Sequence, residues 1–185
     1  MKRFIVLCVI IVSVFIFPLL VNTYVIQLDK NNYRILVIKD KFRLIFFKDK
    51  TKSFVFPIAI GKDEKENKTP EGLFEIIKKE KDYCWYPTKD QRKFYRKKGV
   101  ILSKVVKPTD SHNPWGSRRL KLNMTRSDGS HIYIHDTNES SAIGKAITTG
   151  CMRVRKKDMD LIYPSIKPKE KGKIVKSFSF KIKWL

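Results

Sequence analysis

Histidine and cysteine each occur only three times in this chain, and two of the six, His135 and Cys151, lie sixteen positions apart. The stretch that holds them reads His131-Ile-Tyr-Ile-His135-Asp-Thr-Asn138, then Ile143-Gly144-Lys145, then Thr148-Thr-Gly-Cys-Met-Arg153. A cysteine becomes an acyl-group acceptor when an imidazole can take its proton and backbone N–H groups can receive the developing oxyanion. Gly150 permits the close backbone approach such donors require. The basic run Arg153, Arg155, Lys156 and Lys157 is expected to favour the thiolate electrostatically. A cysteine is also often no more than a small buried hydrophobe, so the pair by itself leaves a structural and a catalytic reading open. A shared metal ion is disfavoured: on a strand His131 and His135 stand roughly 13 Å apart at about 3.3 Å per residue.

The elements that must position these groups are short and β-rich. In a strand, His131, Tyr133 and His135 point to one face and Ile132 and Ile134 to the other, which suits a sheet with one side in the core and one lining a cleft. Upstream, Arg34–Lys39 and Phe42–Lys48 predict a hairpin about Asp40-Lys41, Ser53–Ile60 a third strand ending at Gly61, and Leu73–Lys78 a fourth. Asp90–Lys98 reads as a short charged helix or excursion. Pro108–Gly116 is a loop, Lys156–Tyr163 a helix, and Lys173–Leu185 a closing strand region. No internal repeat is present. The class expected is mainly β, a folded sheet or sandwich with a few short helices.

Ahead of this domain, Lys2 and Arg3 precede an apolar run from Phe4 to Val21 broken only by Ser13 and Pro18. As a helix it covers about 27 Å, close to the roughly 30 Å of a bilayer's hydrocarbon core. No small-residue cleavage site follows, so an uncleaved N-terminal transmembrane helix is favoured over a removed signal segment. Residues 1–23 are read as anchor, 24–32 as linker and 33–185 as the folded domain, held outside the membrane by the basic N-terminus. With 40 Lys+Arg against 18 Asp+Glu the formal charge is +22. Such a field draws polyanions, anionic wall polymers among them, although a scattered lysine surface needs no partner. Nucleic acid is disfavoured, because no recognisable binding motif accompanies the charge. Cys8, Cys84 and Cys151 form no C-x-x-C pair, which argues against a zinc ribbon or a redox motif. Cys84, beside Trp85, is expected to be packing rather than half of a disulfide to Cys151.

Ile134-His135-Asp-Thr-Asn138, Ile143-Gly144-Lys145 and Thr148-Thr-Gly-Cys-Met-Arg153 resemble the signature of the L,D-transpeptidases. Thr69-Pro70-Glu71-Gly72-Leu-Phe74, Asn113-Pro-Trp-Gly116 and Lys171-Gly-Lys-Ile-Val175 resemble the family's outlying motifs in the same order. Every histidine precedes Cys151, opposite to papain-like peptidases. The resemblance implies a thioester acyl-enzyme on Cys151, with His135 moving the proton and the N–H groups of Gly150 and Cys151 binding the oxyanion. The substrates implied are tetrapeptide stems of peptidoglycan that lose D-alanine, and no metal or organic cofactor is required. Arg153 is expected to orient the active loop or hold a substrate carboxylate, with bonding to local carbonyls as the structural alternative. Two positions depart from the pattern. Thr149 stands where many relatives carry His, and Asp136 where the family usually has Gly, whose carbonyl orients the imidazole. Asp136 still supplies a carbonyl, while its carboxylate offers a second role, stabilising an imidazolium. Thr149, Tyr133 and His131 are candidate substrate contacts, although cleft-wall packing serves equally for the last two. Trp115 is expected to pin its loop or to wall the cleft. The same residues also admit a hydrolytic L,D-carboxypeptidase or a non-catalytic, membrane-anchored wall binder in the bacterial envelope.

Overall fold

Alternating apolar side chains along nearly every strand drive this fold, since a strand that turns Ile, Leu or Phe to one face must bury that face against another layer. The computed structural model describes residues 33–177. The expected anchor over 1–23, the linker over 24–32 and residues 178–185 of the closing segment lie outside the described residues. Among the described residues no helix is long and apolar enough to cross a membrane.

In chain order the elements are β1 (Ile35–Ile38), β2 (Arg43–Phe47), β3 (Ser53–Pro57), β4 (Ile60–Gly61), β5 (Gly72–Lys81), α1 (Lys89–Lys97), β6 (Arg118–Thr125), β7 (His131–Thr137), a 3-10 turn (Ser140–Ala142), β8 (Ala146–Thr148), β9 (Met152–Arg155), α2 (Lys156–Ser165) and β10 (Lys171–Val175). Eight strands form one sheet in the order β3-β2-β1-β10-β5-β6-β7-β9, and β4 and β8 form a separate parallel pair. The expected β1–β2 hairpin is present, with Phe42 at its turn in the left-handed region at φ 51°. β5 is longer than the expected strand, and its length matters. Its first half pairs with β10 and its second half with β6, with a register shift between Ile76 and Lys78. That irregularity lets the sheet turn around its core.

The two sheet edges then meet. Pro57 ends β3 instead of letting it run on to Ile60 as expected, because proline offers no ladder N–H. Ala59 exchanges both backbone hydrogen bonds with Arg153 of β9, each 2.9 Å, and Lys62 N–H donates to Thr148 O at 3.0 Å. Inside the folded sheet lies one continuous core that includes Val37, Phe46, Phe56, Phe74, Leu120, Leu122, Ile132, Ile134, Met152 and Val154. Burying each such side chain contributes about 1.5–3 kcal/mol. α2 covers this core through Met159 and Ile162, while α1 buries no residue. Strand β6 has no counterpart in the sequence reading. Leu120 and Leu122 alternate with Arg119 and Lys121, and before Thr125 at its end the basic, leucine-based pattern has none of the β-branched and aromatic residues that mark a strand.

Candidate active site

Register builds one polar face beside the core. Ile134 pairs with Met152 and His135 with Arg153 across the parallel β7–β9 ladder, so Cys151, one residue earlier, stands beside Tyr133. On the other side of β7, Arg119 pairs with His135 and Lys121 with Tyr133. Paired residues share a face. Arg119, Tyr133, His135, Cys151 and Arg153 therefore line one side, while Leu120, Ile132, Ile134, Met152 and Val154 fill the core behind them. The alternation expected about Ile132 and Ile134 is the alternation found.

His135 is 2% exposed, and its Nδ1 lies 2.9 Å from the carbonyl oxygen of Asp136. A carbonyl only accepts, so Nδ1 carries the proton and Nε2 is left as the basic nitrogen. Trp115 stacks on the imidazole, with ring centroids 5.2 Å apart and 17° between planes. Burial and the Arg153 cation drive the imidazole pKa down to about 3, against the opposing pull of the Asp136 and Trp115 carbonyls. Burial also pushes the Cys151 thiol up, opposed by the Tyr133 backbone and by Arg126, Arg153 and Arg119. The pair therefore rests as neutral thiol and neutral imidazole, not as the thiolate expected from the basic run. Desolvation outweighs the cations, and the guanidiniums that act on the thiol are Arg126 after β6, Arg153 of the basic run in β9, and Arg119 of β6.

The loop before Cys151 is held from both sides. Thr69 Oγ1 donates to Gly150 O at 2.9 Å and accepts from Gly61 N–H at 2.8 Å, which binds the Thr-Pro-Glu-Gly turn to the cysteine loop. Thr148 Oγ1 donates to Cys151 O at 2.6 Å and accepts from Gly150 N–H at 3.2 Å. Arg126 Nη1 donates to Thr149 O at 3.0 Å, and Thr149 itself is exposed. Gly150 adopts φ +110°, and a Cβ there would meet Ile132 Cδ1 at 3.1 Å. Glycine is needed there for its conformation. In this structure the Gly150 N–H, expected as an oxyanion donor, points to Thr148 Oγ1 at 3.2 Å. Among the described residues no hydrogen bond engages Cys151 N–H.

The Asp136 carboxylate turns away from the imidazole. Its Oδ1 accepts from the N–H groups of Ser117 and Arg118, each at 2.8 Å, and its Oδ2 from Ser117 Oγ at 3.2 Å. The side chain is 1% exposed. Burial raises its pKa against those same donors. It thus caps the strand start after Gly116, and its main-chain carbonyl orients His135; the second role considered, an imidazolium partner, is not what the geometry holds. Arg153 Nη1 bonds Glu139 Oε2 at 2.7 Å rather than a local carbonyl, and among the described residues its buried Nε has no partner. His131 lies farther along β7, with Nδ1 3.1 Å from Leu122 O. Cys84 and Cys151 are both free thiols. Among the described residues, no three His, Cys, Asp or Glu side chains converge as a metal site.

Several contributors escaped the sequence reading. The Arg119 guanidinium lies 3.9 Å from the Tyr83 ring and 4.6 Å from the Tyr133 ring, and its Nε bonds Glu80 at 2.5 Å. Tyr83 Oη donates to Trp115 O at 2.6 Å, so Trp115 both walls the site and is pinned by its loop. Thr69 lies in the Thr69-Pro70-Glu71-Gly72 motif, yet nothing local foretells its bond to a residue 81 positions away.

The chain is 30% identical over 121 residues to the "Probable L,D-transpeptidase YcfS" of Escherichia coli, covering 65% of this chain and 37% of that protein. The chain thus spans little more than a third of that relative. In fold it resembles the Enterococcus faecium L,D-transpeptidase (TM-score 0.54, 16% identity, covering 78% of this chain and 50% of that one). It also resembles L,D-transpeptidase 3 of Mycobacterium tuberculosis (TM-score 0.51, 12% identity, 77% and 60%). The family model of the L,D-transpeptidase catalytic domain (YkuD) matches residues 32–175, and the chain belongs to that family.

Proposed function

We propose that this protein is a peptidoglycan L,D-transpeptidase working through a thioester on Cys151. The observation that carries the reading is the shared polar face on which Cys151 and His135 stand, with His135 Nδ1 tied to the Asp136 carbonyl and Nε2 free to act as base. Cys151 Sγ attacks the carbonyl preceding the terminal D-alanine of a tetrapeptide stem while His135 Nε2 takes the thiol proton. Cys151 N–H supplies an oxyanion donor. Collapse of the tetrahedral adduct breaks the C–N bond, and the proton on His135 passes to the departing amine. The thioester is then attacked by an amine of a neighbouring stem, whose proton returns through His135 as the thiol is released. Starting from a neutral pair suits this sequence, because the imidazole must accept and return one proton in each half-reaction. Tyr133, Thr149 and Arg153 border the stem's path. The apolar segment 4–21 supports an anchored enzyme whose domain works outside the membrane.

The test is product analysis on disaccharide-tetrapeptide by liquid chromatography and mass spectrometry. A cross-linked dimer with released D-alanine is expected. Tripeptide alone would make the protein a carboxypeptidase, and unchanged substrate with folded, reduced protein would leave the wall-binding reading.

A further inference from the structure

The 36-residue excursion between β5 and β6 carries an anomaly that the acyl-transfer site does not explain. Helix α1 buries no residue. Nine residues make a marginal helix in water without packing. This one is held by a capping box between Thr88 and Gln91, by Arg92 Nη1 donating to Pro87 O, and by an edge contact of Tyr95 on the buried Trp85. Between Tyr86 and Val105 the chain has seven Lys and Arg against one acid, Asp90. Among the described residues none of the seven forms an ion pair, although eleven Lys or Arg ion pairs occur elsewhere. In the same span Ile101 is 84% exposed, Tyr86 69% and Phe94 53%. The Lys98 ammonium sits 4.3 Å from the Phe94 ring centroid.

Uncompensated cations interleaved with exposed aromatic and aliphatic side chains match one kind of surface. Anionic headgroups receive the ammonium and guanidinium groups, while Phe94, Tyr86 and Ile101 enter the boundary beneath them. A polyanion in water would satisfy the charges but leave the apolar side chains wet. We propose that α1 and its flanks form a docking face for an anionic lipid surface, independent of the acyl-transfer chemistry.

Hydrogen exchange on the full chain, reconstituted in phosphatidylcholine vesicles with and without phosphatidylglycerol, tests this. Exchange reads α1 directly, so attachment through any other segment does not mask the result. The amides of 89–98 are expected to exchange about tenfold more slowly in the anionic vesicles. The Lys93→Glu/Arg96→Glu/Lys97→Glu variant is expected to lose that difference while β6 and β7 keep wild-type protection, which shows the fold intact. Equal exchange in the two vesicles, or a variant that keeps the difference, would overturn the proposal. So would protection of α1 by soluble polyphosphate with no response to the anionic vesicles, which would point to a polymer instead.

Discussion

Replacing Asp136 by alanine removes the acceptor of two buried backbone N–H groups, those of Ser117 and Arg118, and of the Ser117 hydroxyl. Each orphaned N–H costs about 1–3 kcal/mol. Part of that is offset, because burial already disfavours the carboxylate, as its raised pKa shows. The expected loss is about 2–4 kcal/mol, or roughly 5–15 °C in Tm for a chain of this size. Asparagine keeps one oxygen for both N–H groups and should stay within about 1 kcal/mol of wild type. The His135 contact is to the Asp136 main chain, so both variants should keep the imidazole tautomer and turn over wherever they are folded. Urea unfolding followed by tryptophan fluorescence, with Trp115 on the affected loop, measures the loss. An alanine variant within about 0.5 kcal/mol of wild type would refute the capping role. Asparagine as damaging as alanine would show that the charge is what matters, and the imidazolium-partner role would return.

Two further outcomes follow from the same contacts. Thr69→Val cuts the link between Gly61 N–H and Gly150 O, so it should cost about 1–3 kcal/mol and slow Cys151 acylation, while Thr69→Ser preserves both; stopped-flow acylation beside urea unfolding separates the two effects. The His135 imidazole titrates near 6.5 unfolded and near 3 folded, so between those values the unfolded chain binds the extra proton. Stability should thus be complete above pH 6.5 and fall by on the order of 3–5 kcal/mol as pH drops through that window, a slope that His135→Asn flattens in urea titrations at several pH values.

Much of the site was legible because its spacing is local. His131, Tyr133 and His135 alternate with two isoleucines, and that period alone assigns His135 to the face opposite the core. The hairpin of β1 and β2 and the position of α2 were equally plain, since their apolar residues recur at strand and helix periods. What could not be read depends on contacts distant in sequence. β8 and β9 are only three and four residues long and are strands by virtue of β4 and β7. β6 supplies Arg119 opposite His135, a pairing that exists only once the sheet is assembled. The electrostatics failed for a related reason: counting cations near Cys151 ignores the burial that outweighs them. Gly150 illustrates the limit at a single residue, because the need for glycine is legible in the sequence while the contact of its N–H with Thr148 Oγ1 is not.

The most direct measurement is intact-mass spectrometry of folded, reduced protein mixed with disaccharide-tetrapeptide, wild type beside Cys151→Ala, with peptide mapping of any adduct. The account predicts a wild-type mass increase of one acyl group, mapped to Cys151 and absent from the variant. An adduct elsewhere, or an equal one on the variant, would contradict Cys151 as the nucleophile.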